Sequence, residues 1–373
     1  MQAIDLIFFV KNSYVCPAVS EFALVLTKQK SQLMNKPKIA WKTHGGIKSA
    51  SFRYRAFLPC KYLQQEGWSC EIFKDKNIED YEIVVFQKLY DEKNFKLAKI
   101  LKARGVKTIF DLCDNHFYYQ LDNLSALAQR QERLQKMLDV VDAVSVSTPE
   151  LKKLIDSKAN KVSLIIDDAV EIPQTNLLYK SYLKLKNILS KFSNDSRSLN
   201  LVWYGNAGTE NPPYGMIDLA RILPCLEKVH REIPLNLTII SNSESVFKQY
   251  FSSARLPVKY YNWKLVTFPY IFSHNDVCLI PVNLNSHTRY KTNNRLVLSL
   301  LLNVAVIADK IPSYEEFDKY ALFSNWETNL RKYALNSALR QQQVKQGRKY
   351  ILSKYNRNRV IGQWSSLFQT MRA

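Results

Sequence analysis

The stretch NDVCLIPVNLNSHTRYKTNNRLVLSLLLNVAVIAD, residues 275–309, contains a complete strand–loop–helix–strand unit. Its apolar run at 277–280 stops at a proline and predicts a short buried strand. The apolar residues at 296–302 predict a helix, and those at 304–308 predict the next buried strand. Because parallel strands are joined by such helical crossovers, the unit indicates an α/β protein with a parallel sheet.

Residues at both ends of this predicted helix are suited to capping it. Thr292 or Asn294 is expected at the N-cap, since a short polar side chain there accepts a hydrogen bond from a free backbone N–H. Asn303 is expected to end the helix in the left-handed conformation, which asparagine tolerates better than most residues. The sequence therefore predicts both helix boundaries. Elsewhere, Thr148, followed by a proline and a glutamate, is likewise expected to cap the start of a helix.

The loop before this helix, residues 283–293, carries cations and no acidic residue. Free N–H groups at a helix start, together with nearby cations, are suited to bind an anion, most simply a phosphate or diphosphate. The alternative is that Lys291 and Arg295 form the solvated rim of an ordinary crossover loop. The candidate anion-binding residues are Lys291, Thr292, Asn293, Asn294 and Arg295.

The rest of the chain repeats the strand–helix alternation in two blocks, and 373 residues exceed the usual single core. We therefore predict an N-terminal domain over 1–173, a polar and basic linker at 174–198 and a second domain over 199–350. The apolar residues at 4–27 are expected to form a leading strand or a docked arm. Further strands are predicted at 38–42, 70–73, 83–86, 108–110, 143–147 and 162–166 in the first domain, and at 199–204, 235–241 and 258–263 in the second.

The net charge of +20 is concentrated in three stretches. Residues 28–61 hold nine Lys/Arg and no acid, residues 173–201 hold five against one acid, and residues 331–373 hold ten and no acid. Localised positive charge indicates a polyanionic partner: nucleic acid, an anionic membrane face or a phosphorylated substrate. Nucleic acid is disfavoured, because no known binding motif is present and aromatic residues are not interleaved with the basic runs.

Two classes of site are disfavoured by composition. The six cysteines have no CxxC pair or other metal-binding spacing, so no metal site is expected and a reducing, cytoplasmic location is favoured. No stretch reaches the ~18 uninterrupted apolar residues that a membrane-spanning helix requires.

A glycine turn follows the strand that is predicted at 38–42. Gly45 and Gly46 allow the backbone to turn sharply and to approach a ligand closely. The helix that follows begins with hydroxyl and guanidinium donors, although the alternative is a tight turn with solvated arginines. The candidate residues here are Gly45, Gly46, Ser49 and Arg53, with Ser51 and Arg55 beside them.

Acidic residues and a histidine follow the strand predicted at 108–110. Asp111, Asp114 and His116 then lie at the carboxyl end of a parallel strand, where such sheets bind ligands. These side chains are suited to acid–base work. The alternative is that Asp111 caps a turn and that His116 packs against the aromatic residue after it.

The first strand of the second domain leads into a second glycine turn, GNAGT at 205–209. Gly205 and Asn206 are candidates for a phosphate or ribose contact, as in many nucleotide-binding domains. The turn is not G-x-G-x-x-G, and no acid stands at the spacing expected of a ribose ligand, which argues against NAD.

Together these motifs resemble the GT-B glycosyltransferases, most closely the bacterial group that includes retaining family 4 enzymes and builds lipopolysaccharide, capsule and other surface glycans. The resemblance covers about residues 38–373. It rests on THGGIKSASFRYR (43–55), FDLCDNHF (110–117), VDAVSVSTPEL (141–151), VWYGNAGT (202–209) and DVCLIPV…KTNNRLVLSLLLNVAVIADKIPSYEEF (276–317).

The resemblance implies two Rossmann-like domains that face a cleft, with residues 351–373 forming a helix that returns to the first domain. The second domain would bind a nucleoside-diphosphate sugar as substrate, with no cofactor and no metal. Its diphosphate would lie on Gly205, Asn206 and the 291–295 turn, and the base near Asn262 and Trp263.

The resemblance also implies that the first domain holds the acceptor near Gly45, Gly46, and the loop of Asp114 and His116. The catalytic candidates are Asp114 and His116, either of which would take the acceptor proton if the enzyme inverts.

One family feature is absent. Family 4 enzymes usually have two glutamates eight positions apart across the loop and helix, and Tyr290 and Leu298 occupy those positions here. The donor sugar would then be held differently, the stereochemistry would differ, or the chain would be a divergent or inactive member.

The resemblance thus implies a glycosyltransferase of bacterial surface polysaccharide synthesis, acting on a glycan or lipid-linked acceptor. We expect it in the cytoplasm, peripherally bound to the anionic inner face of the cell membrane through its basic residues. The alternatives are a nucleotide-sugar epimerase, which requires more catalytic acids than the cleft motifs supply, and a polyanion-binding protein without catalysis.

Overall fold

A computed structural model describes residues 36–118, 124–161, 163–170, 198–210 and 213–372. The predicted strand or arm at 4–27 lies outside these residues, as does the predicted linker except for its last residue. The described residues form two parallel six-stranded sheets with helical crossovers, so the predicted α/β architecture is confirmed.

The first sheet is built from strands joined by helices, in chain order. The strands are β1 (Lys38–Thr43), β2 (Ser69–Ile72), β3 (Ile83–Gln87), β4 (Lys107–Leu112), β5 (Ala143–Val146) and β6 (Ser163–Ile165), and they lie in the order β2-β1-β3-β4-β5-β6. The helical segments are Ala50–Phe52, a π-helical turn Arg53–Phe57 that leads into α1 (Leu58–Gln65), the 3-10 turn Asp75–Asp80, α2 (Glu92–Ala103), α3 (Leu124–Val140) and α4 (Pro149–Asp156).

The second sheet contains β7 (Leu199–Tyr204), β10 (Leu235–Ser241), β11 (Val258–Asn262), β12 (Val277–Ile280), β13 (Ala305–Ala308) and β14 (Leu322–Phe323), and a separate hairpin contains β8 (Gly208–Glu210) and β9 (Pro213–Gly215). The order is β11-β10-β7-β12-β13-β14, so the strand order reverses between β7 and β12. Ligands bind at such a reversal in open parallel sheets, outside the carboxyl ends of the strands. The helices are α5 (Met216–His230), α6 (Glu244–Phe251), α7 (Phe268–Ser273), the 3-10 turns Thr288–Tyr290 and Pro312–Phe317, α8 (Asn294–Leu301), α9 (Trp326–Leu335), α10 (Ser337–Lys354) and α11 (Arg357–Thr370).

Apolar runs form the strands because both faces of each sheet are covered. In β1, Ile39 and Trp41 belong to one hydrophobic cluster, while Ala40 between them belongs to the cluster on the other face. All three have no exposed surface. This pattern explains why the strands of a parallel sheet have near-continuous apolar sequences.

The last helix, α11, packs on the first sheet. Its Trp364 lies 5.5 Å from the ring of Trp41 in an edge-to-face contact, and its Phe368 lies 5.8 Å from the same ring. Arg359 at the start of α11 pairs with Asp167 of the first domain, and Arg357 pairs with Glu66. Both apolar packing and ion pairs therefore hold the end of the chain on the first domain.

The predicted helix caps have different outcomes. Thr148 caps α4, where its hydroxyl accepts a hydrogen bond from the N–H of Leu151, and Asn303 adopts the left-handed conformation with φ of 61°. The N-cap prediction for the central helix is wrong: α8 begins at Asn294, and the preceding Asn293 makes no capping hydrogen bond with its side chain. The Asn294 amide instead donates to Asp168 of the first domain.

The hairpin β8–β9 and the short strand β14 were not predicted from the sequence. The hairpin places Gly208 against Gly215, both with positive φ, and a Cβ on Gly208 would lie 1.8 Å from the carbonyl oxygen of Tyr214. The second glycine of the GNAGT turn is therefore required by backbone packing within the hairpin.

Part of the local positive charge is paired with acidic residues of the protein. In the stretch 28–61, Arg53 and Arg55 are buried, and Lys38 and Lys42 pair with carboxylates. In 331–373, several arginines bind acids elsewhere, as Arg357 and Arg359 do. Within the described residues, no helix is long and apolar enough to cross a membrane.

Candidate active site

The carboxyl-end edges of the two sheets face each other across a cleft. The loops after β4, β5 and β6 on the first side meet the loop between β12 and α8 on the second. The hydrogen bonds that cross the cleft include Asn115 Nδ2 to the Ser286 carbonyl at 2.8 Å, Thr148 Oγ1 to the Tyr290 carbonyl at 3.4 Å, Lys291 Nζ to Asp114 Oδ1 at 2.7 Å, and Asn294 Nδ2 to Asp168 Oδ2.

Lys88, Asp114 and Lys291 form a lysine–aspartate cluster at the centre of this cleft. Each oxygen of Asp114 binds one ammonium group, Lys291 at 2.7 Å and Lys88 at 3.2 Å. Burial alone would raise the pKa of Asp114, but Lys291 and then Lys88 outweigh it and hold that pKa well below its usual value. The side chains of Lys88, Asp114 and Lys291 are 25%, 20% and 37% exposed, so the cluster is open to a ligand.

His116, the second predicted catalytic residue, lies beside this cluster. Its Nδ1 is 2.9 Å from the hydroxyl of Tyr90, which also accepts a hydrogen bond from Arg130. Burial lowers the pKa of His116 to about 3, so the imidazole is neutral. With a pKa of about 3 this imidazole is a weak base near neutral pH, and the Asp114 carboxylate is already neutralised by two lysines.

Arg55, Asp111 and Asp168 form a second ionic group below the cleft, the buried arginine network. Arg55 Nη2 binds Asp111 Oδ1 at 2.5 Å, and its Nη1 binds Asp168 Oδ1 at 3.2 Å. Ser145 donates a further hydrogen bond of 2.7 Å to Asp111. Asp111 has no exposed surface, so it is neither the turn cap nor the acid–base group considered from the sequence.

Gly205, in the predicted donor-binding turn 205–209, lies above the side chain of Arg295 from the 291–295 turn. The Arg295 guanidinium lies over the rings of Trp203 and Tyr204 and donates a 2.6 Å hydrogen bond to the Tyr204 carbonyl. A Cβ on Gly205 would lie 3.2 Å from the Trp203 ring and 3.9 Å from the guanidinium. Glycine therefore leaves room above a fixed cation at the point where the strand order reverses.

The asparagines of the 291–295 turn are engaged in protein contacts. Asn293 Nδ2 donates to the hydroxyl of Tyr355 at 2.7 Å and to Glu316 at 3.2 Å. Asn294 binds Asp168, as described above. The structure thus places Lys291, Asn293, Asn294 and Arg295 in one turn, but the two amides hold neighbouring elements rather than an open site.

The remaining predicted donor residues lie further along this edge. Asn206 and Asn262 are exposed, and Trp263 is half-buried beneath the guanidinium of Arg53 at 5.4 Å. Arg53 was predicted to bind the acceptor substrate, and the alternative was a solvated side chain. It is instead only 5% exposed and stacks across the cleft on the predicted base-binding residue.

The first glycine turn is exposed and directly follows β1. Gly45 has φ of 86°, which favours glycine, whereas a Cβ on Gly46 would meet no atom within 4 Å. Ser49 lies 3.1 Å from Ser51, hydroxyl to hydroxyl. The structure places these residues, which were predicted to bind the acceptor substrate, on the same sheet edge as Asp114.

The sequence analysis missed Lys88, Asp168 and Glu316. Lys88 directly follows β3, and Asp168 comes soon after β6, so both occupy carboxyl-end positions that could have marked them. Glu316 binds Lys354 and Tyr355 beside the 291–295 turn, and its position gave no such signal. Within the described ranges, no group of three or more His, Cys, Asp or Glu residues is arranged to hold a metal ion.

Comparisons with known proteins identify the fold. No protein-family model matches the sequence, and a search of curated proteins gives no significant match. The structure of Anabaena HepE in complex with UDP and glucose has a TM-score of 0.64 at 10% identity, covering 89% of this chain and 99% of that one.

Two further structures have the same arrangement. A glycosyltransferase from Rickettsia africae has a TM-score of 0.61 at 11% identity, covering 90% of this chain and 99% of that one. The trehalose 6-phosphate synthase of Burkholderia multivorans has a TM-score of 0.53 at 12% identity, covering 87% and 83%. With two parallel Rossmann-like sheets whose carboxyl ends face each other, the chain has the GT-B fold.

Proposed function

We propose that this protein is a glycosyltransferase that moves a sugar from a nucleoside-diphosphate sugar to a glycan or lipid-linked acceptor. The observation that carries the proposal is the set of cations on the facing edges of the two sheets. Lys88 and Lys291 meet at Asp114, and Arg295 lies beneath Gly205, where the second sheet reverses its strand order. Structural neighbours with UDP, with UDP and glucose or with UDP-glucose bound share this architecture.

The second domain supplies the donor site in this proposal. The diphosphate lies over Gly205, near the N-terminus of α8, where helix N–H groups and Arg295 favour an anion. Lys291 contacts the same diphosphate, and the base rests near Asn262 and Trp263. UDP is the first nucleotide to test, because neighbours of the same fold bind it.

The transfer requires stabilisation of the leaving group and removal of one proton. The bond from the anomeric carbon to the diphosphate oxygen breaks, and the acceptor oxygen forms the new bond to that carbon. The negative charge that develops on the diphosphate is stabilised by Lys291 and Arg295, with no metal in the proposed mechanism. In an inverting reaction His116 or Asp114 takes the acceptor proton.

The acceptor lies in the first domain, near Gly45, Gly46 and Ser49. We propose a role in bacterial surface polysaccharide synthesis, at the inner face of the membrane, where Lys48 and Lys61 on the exposed side of this domain would meet anionic lipid. Each such lysine contributes ~1 kcal/mol at an anionic surface. Equal recovery of the protein from anionic and neutral vesicles after flotation would contradict this location.

The test of the activity is binding followed by donor hydrolysis. We expect UDP, or another nucleoside diphosphate among GDP, CDP and ADP, to raise the thermal midpoint, and the matching nucleotide sugar to be hydrolysed slowly without acceptor. Arg295→Gln should weaken nucleotide binding by about 1.5–3 kcal/mol, as expected for a charged hydrogen bond. Lys310→Gln, at an ion pair with Asp318 outside the cluster, is the matched control.

The alternatives give different results in the same assay. Stabilisation by oligonucleotides alone would favour a polyanion-binding protein. Interconversion of a nucleotide sugar without release of nucleoside diphosphate would favour an epimerase. Either result would overturn the proposed transfer.

A further inference from the structure

The proposed donor site extends onto the first domain. Resting on the proposed function, we propose that Lys88 is the first-domain half of the diphosphate site and that Asp114 is an internal anion, which occupies Lys88 and Lys291 until the diphosphate displaces it. Asp114 then positions the two cations before binding and is released from them afterwards.

Charge balance is the first argument. One carboxylate faces two ammonium groups, with Asp114 Oδ1 on Lys291 and Oδ2 on Lys88, so these three side chains carry one surplus positive charge. A diphosphate brings more negative charge and more acceptor oxygens than one carboxylate. It therefore competes for the two lysines as the stronger partner, and the partly exposed cluster gives it access.

The backbone of Lys88 is the second argument. Its φ is 57°, in the left-handed region that non-glycine residues rarely occupy. The conformation occurs at the residue that follows β3, and the Lys88 N–H donates to the Asp111 carbonyl at 3.0 Å. Such backbone strain persists where the surrounding structure enforces it, and it is concentrated at functional sites. Here the Lys88 side chain reaches the Asp114 carboxylate from the carboxyl edge of the first sheet.

The position of the two lysines is the third argument. Lys88 belongs to the first domain and Lys291 to the second, so one anion bound between them contacts both sides of the cleft. The neighbouring contact between Asn294 and Asp168 also crosses the cleft and needs no change when Asp114 is displaced. Diphosphate binding would therefore free the Asp114 carboxylate beside His116 while the two sheet edges stay together.

The test compares Asp114→Asn with Lys88→Gln in the full chain, with UDP and inorganic diphosphate as titrants in calorimetry at low salt. We expect Asp114→Asn to bind both anions about tenfold more tightly, because it removes the competing charge. Lys88→Gln should bind them about tenfold more weakly, and Lys88→Arg should restore most of the affinity. Asp318→Asn and Lys310→Gln, at a separate exposed ion pair, should leave both affinities unchanged.

Several results separate this inference from the proposed function. Weaker anion binding by Asp114→Asn would mean that the carboxylate only supports the structure, and would overturn the inference. Unchanged affinity in Lys88→Gln would also overturn it, even if wild type binds UDP. Failure of the folded wild type to bind any nucleoside diphosphate would instead overturn the proposed function. Lys88→Gly, which removes the charge and relieves the strained backbone, gives a second measure of the lost cation if Lys88→Gln is unstable.

Discussion

Two ionic groups meet at the carboxyl edge of the first sheet, where Asp111 of one and Asp114 of the other are three residues apart in the chain. They have opposite stoichiometry and opposite exposure. In the buried arginine network one guanidinium is shared by two carboxylates, and the three side chains are 8% exposed or less. In the lysine–aspartate cluster one carboxylate is shared by two ammonium groups, and every member is at least 20% exposed. The first group contains an excess of negative charge and the second an excess of positive charge.

The difference in burial separates a structural role from a binding role. A buried ion group that loses one member leaves an uncompensated charge without water, which is strongly destabilising. A partly exposed ion pair contributes little to stability, since water and salt screen its charges. The same kind of contact therefore holds the fold together in the buried network and is available for exchange with a ligand in the exposed cluster.

The largest expected effect is on stability, in the buried network. Arg55→Ala leaves Asp111 and Asp168 buried without their shared cation, and we expect it to lower the free energy of unfolding by about 3–5 kcal/mol. Urea unfolding followed by circular dichroism measures this loss. A decrease below ~1 kcal/mol would show that water or rearrangement satisfies the two carboxylates, and the contrast between the groups would fail.

The matching truncation in the exposed cluster should separate stability from binding. Lys291→Ala is expected to change the free energy of unfolding by less than ~1 kcal/mol. In the same variant, nucleoside-diphosphate affinity should fall by about 1.5–3 kcal/mol. Calorimetric titration and urea unfolding of one preparation provide both numbers, and wild-type affinity in Lys291→Ala would remove this residue from the donor site.

A gradual effect, small for each pH unit, is expected from pH at the histidine beside the cluster. The pKa of His116 is about 3 in the folded protein, against about 6.5 in an unfolded chain. The unfolded state therefore binds more protons below pH 6.5, and the stability contributed by the neutral imidazole is lost as pH falls from there toward 3. The loss is at most about 1.4 kcal/mol per pH unit.

The measurement is urea unfolding of wild type and His116→Gln between pH 7.5 and about 4.5. We expect wild type to lose stability faster than His116→Gln below pH 6.5, and at the same rate above it. His44→Gln, at an exposed histidine, is the control. Parallel curves over the whole range would mean that His116 is accessible to protonation in the folded protein.

The buried strands could be predicted from the sequence because their apolar runs are local. The cap at Thr148 and the left-handed Asn303 also depend on short-range geometry, and both predictions are confirmed. The N-cap at α8 was wrong because the Asn294 side chain has a competing partner, Asp168, which is 126 residues away in the chain. Local propensity contains no information about such a partner.

Charge was harder to interpret than hydrophobicity for the same reason. Arg55 was grouped with exposed donors, yet its partners Asp111 and Asp168 lie 56 and 113 residues away and remove it from solvent. The sequence placed Asp114 and Lys291 at the two facing edges of the cleft, but the contact between them depends on how the two domains meet. Their predicted roles in catalysis and donor binding stay predictions.

The return of α11 to the first domain has a consequence for the order of folding during synthesis. Trp41 and Trp68 share a hydrophobic cluster with Val360, Trp364 and Phe368, and α11 begins about 190 residues after the end of β6. At the usual translation rate of about 5–20 residues per second, that interval lasts roughly 10–40 seconds. The emerging first domain would expose two tryptophans for that time, and its core would close only when the last helix has left the ribosome.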